Sequence, residues 1–138
     1  GNTVTISGSL SGNVLGALNK LGSGGLILTN TLNHLWGGQL AIHQGTVLAT
    51  SGDFLPDKVF IGSRGVLDLE AASSTTVPYN SLISGPGDVA VNAQPANTGT
   101  VVLTNDNTYS GLTAVYRGIL QFTGNVSNTY FLPGCVVY

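Results

Sequence analysis

The stretch GTVVLTNDNTYSGLTAVYRGILQFTG (residues 99–124) decides how this chain is read, because a degenerate copy, GGLILTNTLNHLWGGQLAIHQGTVLAT, stands at residues 24–50. In each copy an apolar strand ends in Leu-Thr-Asn and a polar turn follows. A glycine then restarts a short alternating strand, and seven residues later another glycine starts a third. Leu28-Thr29-Asn30 aligns with Leu103-Thr104-Asn105, Gly38 with Gly111 and Gly45 with Gly118, with two extra residues in the first turn. The 73 residues from Gly45 to Gly118 leave room for three or four coils of roughly 20 residues each. A third partial copy lies between them, where Ile61-Gly62-Ser63-Arg64-Gly65-Val66-Leu67-Asp68-Leu69 repeats the unit of glycine followed by strand. A repeat of this length reads as stacked units, each unable to bury its apolar face until a neighbour covers it.

Composition points the same way. Twenty glycines punctuate runs rich in Val, Thr, Leu and Ile, and charged residues make up 7% of the 138-residue chain, against roughly 25% in ordinary globular domains. The one plausible helical window is residues 12–21, GNVLGALNKL, where apolar residues recur at three- and four-residue spacing; two glycines weaken it, so a short helix or irregular arm there is the less favoured reading. Nine short segments read as strands, each three to five residues long and bounded by Gly, Asn, Asp, Ser or Pro; Thr3-Val4-Thr5-Ile6, Lys58-Val59-Phe60-Ile61 and Ile119-Leu120-Gln121-Phe122 are examples. No Asn-Gly or Asp-Gly hairpin dipeptide occurs, which favours a parallel β-helix over a sandwich. Asn30, Asn105 and Asn107 are read as turn residues, since asparagine tolerates left-handed backbone angles and bonds its own main chain.

The segment SGPGDVAVNAQPANTGTVVLTNDNTYSGLTAVYRGILQFTG, residues 84–124, resembles the autotransporter-associated β-strand repeat of bacterial type V passenger domains. The resemblance rests on the lead-in Gly85 and Gly87, on Leu103, Thr104 and the run Asn107-Thr108-Tyr109-Ser110-Gly111, and on Thr113 and Gly118; Leu21-Gly22-Ser23-Gly24-Gly25-Leu26-Ile27-Leu28-Thr29 resembles the same lead-in. It implies an all-β chain folded as a right-handed single-stranded parallel β-helix (β-solenoid), an extracellular or cell-surface location, and a structural, adhesive or passenger role. It implies no activity, because one fold hosts many functions. No translocating barrel follows the repeat, and the terminus from Phe131 to Tyr138, with Pro133 inside it, reads as a final coil or capping arm and not as a barrel strand.

The expected domain is one solenoid over residues 1–138, with arms at 1–11 and 125–138. It should have six or seven coils and be about 30 Å long at ~4.8 Å per coil. Leu28, Leu40, Val47, Val66, Val102, Leu103, Val115 and Leu120 should fill its core. No secretory leader and no run of about 18 apolar residues is read, so the chain is expected to be processed or excerpted and to span no membrane. Cys135, the single cysteine, reads as a small buried apolar residue, with an intermolecular bridge as the alternative. The net charge of -2 and the scatter of Lys20, Lys58, Arg64 and Arg117 exclude a basic stripe able to neutralise several phosphates, so no nucleic acid is expected.

A search for chemistry returns no catalytic, cofactor or metal site. Asp68 and Glu70 share one strand face, a spacing suited to acid/base work, with Arg64 within reach of either; the competing reading makes them solvent-facing residues beside inward Leu67 and Leu69. Asp53 and Asp57 flank Phe54-Leu55-Pro56, where turn capping competes with calcium binding but the alternating oxygen ligands are missing. His34 and His43 have no neighbour at metal spacing. In Gly8-Ser9-Leu10-Ser11-Gly12 the serine is out of frame for a nucleophile elbow. Gly22-Ser23-Gly24-Gly25 lacks the lysine of a phosphate loop and reads as a corner. Trp36, Tyr109, Tyr116 and Phe122 are candidate sugar platforms, with Tyr109 expected to pack against the next coil. Asn125-Val126-Ser127 is a sequon by pattern alone.

The expected function is therefore a non-catalytic surface or passenger scaffold binding host or cell-surface ligands. The alternative is a subunit that stacks end to end with itself into a filament.

Overall fold

A computed structural model describes residues 1–8, 10–12, 16–29 and 35–125, with the backbone alone described at 11–12 and 35–36. Its chain winds through about five turns of a three-sided parallel β-helix. The first coil is β1 (Thr3–Ile6), β2 (Ser11–Gly12) and β3 (Ala17–Lys20). The second is β4 (Gly25–Leu28), β5 (Leu35–Trp36) and residues 39–42 of β6 (Gln39–Ala49). Residues 46–49 of β6 open the third coil, a 3-10 turn at Gly52–Phe54 replaces its second strand, and β7 (Lys58–Leu69) closes it. The fourth coil runs from residues 66–69 of β7 through β8 (Thr76–Tyr79) and β9 (Leu82–Ser84), and the fifth holds β10 (Asp88–Val91) and β11 (Thr100–Leu103). β12 (Thr113–Val115) and β13 (Ile119–Phe122) begin a sixth.

Register fixes the coil length. Val4, Leu26, Val47, Leu67, Val89 and Thr113 are successive partners in one parallel ladder, so each coil takes 20 to 24 residues. This first face and the third, built on β3, residues 39–42 and 58–61, and β9, form one eight-stranded sheet, because β6 and β7 each run through the corner between them. The corner in β6 is a bulge between Ile42 and Gln44 followed by Gly45 at φ 79°. A Cβ on Gly45 would strike the Gly24 carbonyl one coil below, so glycine is required there both by backbone angle and by space.

Side chains alternate along each strand, and the inward ones stack in rows along the axis. Leu26, Val47, Leu67 and Val89 form one row, Leu40, Val59 and Ile83 another, and Val101 and Leu120 a third, all fully buried or nearly so. Of the expected core, Leu28, Leu40, Val47, Leu103 and Leu120 are inward, and Val115 packs partly buried at the last coil. Val66 and Val102 are corrections. Val66 is half-buried beside inward Leu67, and Val102, though buried, lies between inward Val101 and Leu103 and outside the apolar core cluster.

The weak helical window at 12–21 contains β3, paired in parallel with β6; its alternation of exposed and half-buried residues is strand-like. Thr3–Ile6 is a strand as expected, and it forms the first rung of the ladder, in register with β4. The described residues make about five coils, each of 20 to 24 residues.

The two sequence copies also sit on different faces. Leu28 ends a first-face strand and Leu103 a second-face strand, while Gly45 opens a first-face strand and Gly118 a second-face one. The alignment is therefore real but shifted by a third of a turn, which means the faces obey nearly the same local rule.

Two buried asparagines tie the coils together. Asn92, at φ 51°, accepts from the Ala71 N–H (2.8 Å) and donates to the carbonyls of Gly99 (2.9 Å) and Arg117 (3.0 Å). Asn107 accepts from the Ile83 N–H (2.8 Å) and donates to the Asn105 carbonyl (2.9 Å). Asn107 is thus a buried link between coils, Asn105 is an exposed turn residue, and Asn30 lies outside the described residues.

Candidate functional site: a buried carboxyl pair

Asp68 and Glu70 are brought together, but not in solvent. Asp68 points outward from the first face between Leu48 of β6 and Ala90 of β10, its backbone partners below and above. It is nevertheless only 3% exposed, and Glu70 only 1%. The cover is the 92–98 loop of the next coil, which folds back over the fourth. At its tip Gln94-Pro95-Ala96-Asn97 makes a turn closed by Asn97 N–H to Gln94 carbonyl (3.1 Å), with proline at the position where its fixed φ suits a turn. Glu70 clamps this tip, accepting from the Gln94 backbone N–H (2.9 Å) and from the Asn97 side-chain amide (2.5 Å). The base of the loop is held separately, by Asn92 N–H to the Leu69 carbonyl, Gly99 N–H to the Ala71 carbonyl, and Arg117 to the Ala93 carbonyl (3.1 Å).

The electrostatics follow from that cover. Burial pushes the Asp68 carboxyl up to about 7 from its ordinary 3.8; the adjacent Glu70 charge and a hydrogen bond shared with Glu70 add to the rise, and the Ala93 N–H opposes it. One Asp68 oxygen, Oδ1, is buried with no hydrogen-bond partner. A protonated Asp68 donating to Glu70 costs less there than two facing carboxylates. On the inner side of the same corner the Tyr79 hydroxyl lies 2.7 Å from the Ala49 carbonyl and 2.8 Å from that of Glu70, and accepts from the Glu70 N–H. Burial holds its ionisation well above the usual phenol range. Outside, Asp68, Gln94, Leu48, Thr46 and Ile27 line a groove of about 290 Å³ along the first face.

The expected partner of the pair is corrected. Arg64 is exposed, near the corner of β7 where it pairs with Gln44, and Glu70 is satisfied by amides instead. The solvent-facing reading of the pair fails for the same reason: the covering residues come 24 and 27 positions after Glu70. A signal for this existed, since polar Asn92, Gln94 and Asn97 fall about one coil length after the carboxyls in a lengthened turn.

The other candidates scatter. Asp53 lies in the 3-10 turn, where Ser51 caps by accepting the Asp53 N–H (3.3 Å), and Asp57 contributes its carbonyl to Leu82 N–H. Phe54 and Leu55 between them are buried. His43 is exposed, with Nε2 3.2 Å from Asn19 Oδ1 and its ring tilted against Phe60. No group of three or more His, Cys, Asp or Glu able to hold a metal occurs among the described residues, and no helix among them is long and apolar enough to cross a membrane. Gly22, Ser23 and Gly24 form a bend that leads into β4 at Gly25, with Gly22 at φ 74°.

Tyr109 is fully buried, its hydroxyl 2.7 Å from Thr113 Oγ1, so it is no platform; Phe122 is half-buried and Tyr116 is 59% exposed. Ser9, His34, Val126, Ser127 and Cys135, the side chain of Trp36 and most of the C-terminal arm lie outside the described residues. No family model, curated protein or solved structure matches the chain.

Proposed function

We propose that this chain is a non-catalytic scaffold segment of an extracellular β-solenoid, with a structural or adhesive role at a cell surface and a passenger-like origin. The observation that carries the reading is what the repeat's signature residues do. Asn107 bonds the coil below, Tyr109 fills the core, and Gly111 sits where a Cβ would strike the Gly87 carbonyl. The buried members of the motif, Asn107, Tyr109 and Gly111, serve the building of coils. The carboxyl pair supports the same view. Both carboxyls are buried, and Glu70 is occupied by the Gln94 N–H and the Asn97 amide of the covering loop, which leaves it poorly placed for acid/base work on a sugar.

Incubation with acidic and neutral polysaccharides should release no new reducing ends. Turnover abolished by Asp68→Asn or Glu70→Gln overturns the reading.

Head-to-tail self-assembly is the second reading, favoured by the apolar surface of the first coil. Val4 and Leu21 are 60% and 69% exposed, beside a groove of about 560 Å³ that Ile6, Leu18 and Leu26 also line. Among the described residues β1 pairs on one side only, with β4. Among the described residues β12 and β13 also pair on one side only, so a second copy's end coil has the strand geometry to continue the ladder. Light scattering and electron microscopy should find concentration-dependent rods that Val4→Lys with Leu21→Lys disperses. A chain that stays monomeric at high concentration leaves the scaffold reading alone.

A further inference from the structure

We propose that Asp68 and Glu70 form a proton-dependent latch: one proton shared between their carboxyls keeps the Gln94 to Asn97 turn closed over the first face, and loss of that proton releases it. The geometry makes the turn separable from the rest of its loop. Its base is held by backbone bonds to Leu69 and Ala71, by the Asn92 side chain, by Arg117 and by the Ala93 N–H at the Asp68 carboxyl, which stay in place whether or not Asp68 is charged. Its tip is joined to the coil below through the two Glu70 bonds. Whatever moves the Glu70 carboxylate therefore frees the tip and leaves the ladder intact.

The surroundings make the proton the deciding particle. Below Asp68, β6 offers Leu48, and above it β10 offers Ala90, neither of which titrates. Asp88, one row over on β10, is exposed and committed to the Leu112 N–H (2.8 Å). The 92–98 loop carries no titratable side chain, Arg117 is directed to the Asn92 and Ala93 carbonyls, and the Tyr79 hydroxyl remains protonated between carbonyls. No cation among these groups bonds either carboxyl. With the proton present, Asp68 donates to Glu70, and the Glu70 oxygens also accept from Gln94 and Asn97. When the proton leaves to solvent, two like charges face each other under a cover that admits little water. Relief comes when Glu70 swings outward, and its two bonds to the turn are lost. Opening then uncovers the outward row of Leu48, Asp68 and Ala90. The latch does not depend on either functional reading above.

The test is nuclear magnetic resonance of the isotope-labelled full chain between about pH 5 and about pH 9, with amide exchange corrected for its intrinsic pH dependence. The Asp68 carboxyl carbon should titrate near neutrality. Over the same range the Gln94 amide should lose protection roughly tenfold or more while the Leu48 and Ala90 amides hold. Asp68→Asn keeps a donor for Glu70 without a charge, so the Gln94 amide should stay protected at every pH. Glu70→Gln removes the facing charge and should lower the Asp68 titration, with burial still holding it above the ordinary carboxylate range, even if the asparagine variant fails to fold. Three results each overturn the latch: an Asp68 carboxyl that titrates as an ordinary carboxylate, Gln94 protection that ignores Asp68 titration, or the same loss of protection in Asp68→Asn.

Discussion

The two sides of the strand at residues 66–69 are both buried, for opposite reasons. Inward Leu67 and Leu69 are fully buried because the coils above and below supply aliphatic partners in the same rows. Outward Asp68, with Glu70 just beyond the strand's end, is hidden because one loop of the next coil folds back over that side. The inner side needs only the repeat, whereas the outer side needs a departure from it. Burial in a solenoid is therefore not equivalent to facing its core.

That contrast can be broken from the inside with the largest effect. Leu103→Asp places a charge in a row that offers no partner, and the protein should fail to fold; the circular dichroism signature of β structure should be lost. A variant that melts like the parent would show the assigned register to be wrong. Leu69→Ala leaves a cavity at a fully buried position and should cost about 2–5 kcal/mol in denaturant unfolding.

The outer side should respond to pH. The unfolded chain releases the Asp68 proton near its ordinary 3.8 and the folded chain near 7, so between these values the folded state holds the extra proton. Its contribution to stability is full below about pH 4 and is lost as pH rises through about 7. Thermal melts across that window should show the parent falling and Asp68→Asn flat; a parent whose stability rises with pH, or a variant with the parent's slope, refutes the assignment. The smallest effect belongs to Val66→Ala, a half-buried outward residue on the same strand, which should cost under about 1 kcal/mol by denaturant unfolding. A loss as large as that of Leu69→Ala would mean the two sides are not distinct.

Much of the fold was legible because it is local. Gly45 and Gly118 mark corners at φ 79° and 69°, where the glycine-to-strand unit placed them, and the alternation in Thr46-Val47-Leu48 and Ile119-Leu120-Gln121 gave the inward rows. The phase of the repeat was not legible. The three faces accept the same short strand pattern, so the Leu-Thr-Asn match reads identically whether its copies stand on one face or on neighbouring ones. The carboxyl pair was half legible: Asp68 and Glu70 stood out as a pair, but their environment depended on residues a full coil away.

The amino-acid sequence by itself determined that this chain is a parallel β-solenoid. Period-two apolar strands too short to bury themselves, cut by glycine corners at recurring spacing, are stable only when stacked. The tertiary structure alone decided how many coils the described residues make, which valines of a strand face inward, and that two carboxyls lie buried beside the 92–98 loop. These depend on contacts between residues about 20 to 27 positions apart, and the energy of such contacts is set by register, which the local pattern leaves free to shift from one face to the next.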